Sequence, residues 1–133
     1  MAFKHGKDTV IKLNAVDLSA FTDTSELNRS ADTHDVTVYG NQSHAYAGGL
    51  LDAKATMSGT YDSVAGGPRG TIEPLIGTTV TLIRQPEGTG TGKAQDSVSV
   101  VVSGYVETNP VADMVKWSAE FQCTGEVNSA AQA

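Results

Sequence analysis

Several groups of residues in this 133-residue chain have types that could do chemistry, and their spacing decides whether they do. Gly88, Gly90, Gly92 and Lys93 invite comparison with a phosphate-binding loop. Such a loop requires glycine where this chain has Glu87, and Ser or Thr where it has Ala94. No helical pattern follows, so the amides and dipole that would hold a phosphate are missing. A flexible hairpin tip is the better reading. Asp32, His34, Asp35 and His44 suggest metal ligation, but no pair has the helical spacing of a zinc protease and no cysteine is near. On a strand His34 and Asp35 would point to opposite faces, and all four read as solvated loop residues. No serine lies in a Gly-x-Ser-x-Gly elbow. Glu107 and Glu120 could face each other across a hairpin, with Lys116 nearby, as an ordinary surface network. These failures of spacing predict no catalytic residues, no metal and no cofactor.

The elements that carry these residues are long strands. In Asp52–Tyr61, Ala53, Ala55, Met57, Gly59 and Tyr61 share one parity, while Asp52, Lys54, Thr56, Ser58 and Thr60 share the other. In Asp96–Thr108, Val98, Val100, Val102 and Val106 oppose Ser97, Ser99, Ser103 and Glu107. In Val115–Thr124, Val115, Trp117, Ala119, Phe121 and Cys123 oppose Lys116, Ser118, Glu120, Gln122 and Thr124. A period of two puts one face on a core and the other in water. The polar faces are rich in hydroxyls, with Asp52, Glu107 and Glu120 against Lys54 and Lys116. That composition describes a nearly neutral wall. Trp117 and Phe121 share their face with Val115 and Ala119, which favours core packing over stacking on a sugar.

Composition narrows the partners. A net charge of -6, from 15 acidic and nine basic residues, disfavours specific binding to nucleic acid. The bases are scattered from Lys4 to Lys116 without a stripe. Cys123 is the lone cysteine, so no disulfide can form within the chain, and its parity makes it a small buried hydrophobe. The N-terminus shows no apolar run of signal-peptide length, and nothing approaches a membrane span. At this length one domain, 1–133, is expected.

Along the chain, Thr9–Leu13 reads as a first strand pairing with Ala15–Phe21 across Asn14. Thr22–Thr33 reads as a polar loop and Asp35–Tyr39 as a short strand. His44–Ala47 reads as a further extended piece. Arg69–Ile76 is the helix candidate, with Thr71 at its start, Pro74 in its first turn, Ile72, Leu75 and Ile76 on its apolar side, and Gly77 as its C-cap. Thr79–Arg84 is a strand, and the last two strands form a hairpin around Asn109 and Pro110. Met1–Lys7 and Asn128–Ala133 lack an apolar face, and 128–133 reads as a flexible tail. The expected fold is mainly β, an antiparallel sandwich or open barrel with one short α-helix.

Taken in order, several segments resemble the major tail tube protein of bacteriophages with long non-contractile tails. They are Gly6–Leu13, Asp17–Ser19, Asp35–Gly40, Gly48–Asp52, Gly59–Asp62, Ile72–Gly77 and Val115–Phe121. The likeness covers nearly the whole chain and lies in order and spacing. It implies a structural virion protein, synthesised in the host cytoplasm, that forms hexameric rings stacked into a tail tube. Strands of each subunit would join an inter-subunit β-barrel. The implied partners are further copies of itself, a tape-measure protein, chaperones and other tail proteins, with DNA in non-specific passage and no membrane insertion. On that analogy the polar wall would line the lumen. The segment Gly40–Leu51, with Tyr46, Gly48, Gly49, Leu50 and Leu51, would contact neighbouring subunits. Competing expectations are a non-propagating ring (a tail terminator or head–tail connector) and a carbohydrate- or receptor-binding β-sandwich.

Overall fold

A computed structural model describes residues 3–132. Its strands are β1 (Val10–Leu13), β2 (Val16–Asp17), β3 (Thr24–Asp35), β4 (Tyr46–Thr60), β5 (Thr79–Gln85), β6 (Ala94–Thr108) and β7 (Lys116–Ala131), with one short helix, α1 (Pro68–Ile72), between β4 and β5. All belong to a single antiparallel sheet in the order β2-β1-β5-β6-β7-β4-β3. The sheet does not close. The mainly β, open, antiparallel architecture with one short helix is the one expected from the alternation.

That alternation builds the core. Ala53, Ala55 and Met57 of β4, Val98, Val100 and Val102 of β6, and Trp117, Ala119, Phe121 and Cys123 of β7 are buried together with Ile11, Leu13, Leu18, Ile72 and Leu82. Trp117 is 1% exposed, and its indole N–H donates to the Phe21 carbonyl at 3.1 Å. Gly59 lies opposite Trp117 across the β4–β7 ladder. A Cβ at Gly59 would lie 1.9 Å from that same carbonyl oxygen, so only glycine lets the Phe21 backbone approach. Strands β1 and β2 turn at Asn14 and Ala15, both with positive φ, which matches the right-handed twist of a tight hairpin.

Several expectations need correction. Thr22–Thr33 is not a loop: β3 runs from Thr24 to Asp35 and pairs with β4 along its length. Its polar residues gave no alternation because most of them are exposed on both faces. The expected strand Asp35–Tyr39 ends at Asp35, where the Thr37 hydroxyl rather than a main-chain carbonyl accepts the Ala45 N–H. The segment Ala15–Phe21 contains only the two paired residues of β2, then a 3-10 turn at Ser19–Phe21. The helix starts earlier than Arg69, with Gly67 at its N-cap and Pro68 in its first turn, and Thr71 lies inside it. A 3-10 turn at Glu73–Leu75 follows and contains Pro74. Ile72 is buried, but Ile76 is exposed. Gly77 does take a positive φ just after this turn, and its N–H reaches the Val102 carbonyl. Residues 128–131 are strand rather than flexible tail: Asn128 through Ala131 pair with Ser97 through Ala94. A strand edge holds them without needing an apolar face. Met1, Ala2 and Ala133 lie outside the described residues.

Candidate functional site

The register of the ladders joins the polar faces of four strands into one surface. Asn28, Lys54, Gln122 and Val101 form one row across β3, β4, β7 and β6. Glu26, Thr56, Glu120 and Gly104 form the next, and Thr24, Ser58, Ser118 and Val106 the one after. Thr60, Lys116 and Thr108 end the series. Ser99 and Thr124 pair on the same surface, and Asp52 lies opposite Ser30. Short polar links tie the wall together. Lys116 Nζ reaches Thr60 Oγ1 at 3.3 Å, Gln122 Nε2 donates to Asp52 at 2.9 Å, and Ser103 Oγ donates to the Glu120 carbonyl at 3.0 Å. Lys54 Nζ and Glu120 Oε2 are 3.9 Å apart and exposed, so their attraction is weak.

Most of the expected wall residues meet here, but Glu107 does not. The register shifts between Val102 and Gly104, leaving Ser103 as an extra residue in β6. A bulge of one residue exchanges the faces of everything beyond it. Val106 is therefore on the polar wall, 57% exposed, and Tyr105 and Glu107 turn towards the core side. Glu107 lies opposite Trp117 rather than Glu120 and sits 3.7 Å from Arg69 of α1. Burial, then the Glu107 charge, pushes the Tyr105 hydroxyl well above the usual phenol range. Sequence reasoning missed Thr24, Glu26 and Asn28, because β3 shows no alternation strong enough to mark a strand. With Glu107 replaced by Glu26, the wall still carries three carboxylates (Glu26, Asp52, Glu120) and two ammonium groups (Lys54, Lys116). It remains close to neutral.

The second surface is an arm. Of Gly40–Leu51, the part from Tyr46 onward belongs to β4, so the segment is half strand and not a loop between strands. Residues 30–44 and 46–52 are exposed. Val36, Val38, Tyr39, Tyr46, Leu50 and Leu51 are large apolar side chains in water, Leu50 and Leu51 at 80% and 78% exposure. Singly exposed apolar residues are ordinary, but here six of them lie on one arm. Gly49 sits where β3 and β4 slip by one residue, and a Cβ there would press on the His34 ring at 2.7 Å. At the tip, the Thr37 hydroxyl and N–H, and then His44, hold the Asp35 carboxyl below its usual range.

The remaining candidates have plain settings. Trp117 and Phe121 are buried and present no ring to a sugar. Asp35 and His44 are 3.4 Å apart, and His44 stacks on Tyr46. Among the described residues no three His, Cys, Asp or Glu side chains gather as a metal site. Gly88 takes a positive φ in a turn closed by its N–H to the Gln85 carbonyl. Cys123 is buried, which pushes its thiol pKa up. No helix of the described residues is long and apolar enough to cross a membrane.

No family model matches the chain, and no curated protein matches it in sequence. Solved structures do match in shape. A chain of the virion of a native gene transfer agent particle superposes with a TM-score of 0.80 at 15% identity, over 97% of this chain and 100% of that one. A chain from the tail of an empty gene transfer agent particle, refined with C6 symmetry, gives 0.76 at 16% identity over 97% and 100%. A chain of the SPP1 tail tube gives 0.78 at 11% identity over 98% of this chain and 80% of that one. The resemblance read from the order of the segments thus holds at the level of fold: this chain shares its fold with chains of a gene transfer agent virion, of the tail of an empty gene transfer agent particle and of the SPP1 tail tube.

Proposed function

We propose that this chain is a structural subunit of a virion tail tube, forming hexameric rings that stack into a conduit for DNA. The observation that carries the reading is the continuous polar wall across β3, β4, β7 and β6. It is nearly neutral and hydroxyl-rich, as a passage for a polyanion needs, since a basic wall would hold phosphate and a strongly acidic one would repel it. The strands also have edges left to pair. Among the described residues, β3 has a ladder on its β4 side only, and β6 beyond Val102 on its β7 side only. Joining such edges between subunits would extend the sheet into a common barrel and remove sites of uncontrolled pairing. The fold shared with tail chains, one of them in a C6 assembly, supports the same reading.

In this reading the polar wall faces the lumen, and Tyr46, Gly48, Gly49, Leu50 and Leu51 on the arm contact neighbouring copies. A tape-measure protein would occupy the lumen during assembly, and DNA would later pass without sequence-specific contacts. No residue has a catalytic role. Purified protein, followed by size-exclusion chromatography and negative-stain microscopy, tests the proposal. Tubes of uniform diameter are expected. Closed single rings would assign the chain to a terminator or connector instead, and a monomer at every concentration would overturn assembly altogether.

A further inference from the structure

We propose that Arg29 pins the β3–β4 arm to the body of the subunit and so fixes the angle at which the arm meets a second copy of this chain. The pin itself stands on the subunit alone. Its role in assembly rests on the tail-tube reading above.

The β4–β7 ladder stops at Lys54 and Gln122. Beyond it the strands part, and Leu51, Ala53, Cys123 and Val127 help line a cleft of about 580 Å³ between them. Arg29 lies opposite Ala53, at the level of this split. Its guanidinium crosses to the other side, where Nη2 donates to Asp96 Oδ1 at 3.0 Å and Nη1 to Ser129 Oγ at 2.9 Å. Asp96 is on β6, three strands from β3 in the sheet order. A flat sheet would put them about 14 Å apart, so the contact also records how far the sheet curls. The Asp96 side chain is only 9% exposed; Arg84 holds its other oxygen, Oδ2, at 2.9 Å, and the Ser129 hydroxyl donates to the same Oδ1 that Arg29 reaches. Arg29 therefore docks on an acceptor pair that the body has already built.

Outward of Arg29, among the described residues, no hydrogen bond or ion pair joins residues 30–51 to the body. At the same level Gln122 holds Asp52 and the Ala53 carbonyl, closing the junction from β4. A guanidinium bound at two nitrogens fixes an angle as well as a distance, whereas a lysine would supply a point charge. The arm then acts as a lever. From Arg29 to the end of β3 at Asp35 is about 20 Å at the usual rise per residue, so a swing of about 10° at the pin moves that end by about 3.5 Å and the tip beyond it by more. A shift of that size takes Leu50 and Tyr46 out of register with any fixed partner surface.

The test uses the full chain with Cys123→Ser and spin labels on Asn41→Cys at the arm tip and Thr81→Cys on the body. A narrow distribution of tip-to-body distances is expected with Arg29 present. Arg29→Gln leaves Asp96 its Arg84 and Ser129 partners, so the body keeps its urea midpoint while the distribution broadens by several ångströms. Arg29→Lys and Ser129→Ala, each removing part of the fork, fall between. An Arg29→Gln distribution as narrow as the parent's overturns the pin. If Arg29→Gln fails to fold, Ser129→Ala decides by the same measure. Tube assembly is then followed by microscopy, with tubes of irregular repeat or a yield reduced about tenfold expected for Arg29→Gln, because its two lost hydrogen bonds come from a half-exposed side chain and together weigh about as much as one charged bond. Normal tubes from a broadened arm overturn the link to assembly. A parent protein that never forms tubes defeats the tail-tube reading, while the distances still decide the pin.

Discussion

Strand β4 has two halves that differ in almost every physical respect. From Ala53 to Thr60 alternate side chains are buried, and from Lys54 onward the strand has a neighbour on each edge, β3 and β7. From Tyr46 to Asp52 every residue is exposed, and only the β3 edge is paired. The inner half buries Ala55 and Met57 against Phe121 and Trp117; the outer half holds Leu50 and Leu51 in water. Both halves are strand, with one slip of register near Gly49 in the outer half. What differs is whether a second layer of apolar surface lies within the chain. Stability is thus concentrated at one end of the strand, and unused apolar area at the other.

Substitutions at the two ends should separate these roles. Phe121→Ala empties the fully buried centre of the core and should cost about 4 kcal/mol, read as a lowered urea midpoint. An unchanged midpoint would mean the inner half is not the stabilising one. Gly59→Ala should cost about 3 kcal/mol, because its methyl drives away the Phe21 carbonyl that accepts the Trp117 N–H. Trp117 fluorescence should shift as its indole loses that acceptor. Replacing Leu50 and Leu51 together by Ser should change the midpoint by no more than about 0.5 kcal/mol, yet block tubes. Loss of folding would instead reveal the arm as a flap over its own core.

The smallest effect is expected at the arm tip on acidification. The Asp35 carboxyl is held below its ordinary value of 3.8. Its contribution to the turn is therefore complete above that value and is lost as pH falls through the lower folded value. The Thr37 amide resonance should titrate in that acidic window while resonances of β6 and β7 stay fixed. Simultaneous movement of both would tie the tip to the body more closely than the geometry does.

Legibility in the sequence follows the same division. Ala53 to Met57, Val98 to Val102 and Trp117 to Cys123 were readable because each alternates against a real interior. β3 was not, because Asn28 to Asp35 face water on both sides and no periodicity survives where nothing is buried. The bulge at Ser103 left no mark in the residue types, since valine and glutamate are equally plausible on either face of a strand end. Asp96, Arg29, Arg84 and Ser129 are scattered along the chain, so their meeting depends on the curl of the sheet, which no local pattern encodes. The small residues Asn128, Ser129, Ala130 and Ala131 looked unanchored for want of an apolar face, but a neighbouring strand edge is sufficient.

The strand order also carries a kinetic consequence. The hairpins β3–β4 and β6–β7 are local and close in about 1–10 μs, as isolated hairpins do. They become one sheet only when β4 finds β7, a pairing such as Thr60 with Lys116 that spans 56 residues. Loop closure over that separation slows folding relative to local contacts. During the interval each hairpin holds a bare inner edge, and the β7 of another molecule fits β4 as well as its own. At high subunit concentration the two hairpins of different chains should therefore exchange, so that slow refolding from dilute solution yields monomers and rapid refolding from concentrated solution yields swapped dimers.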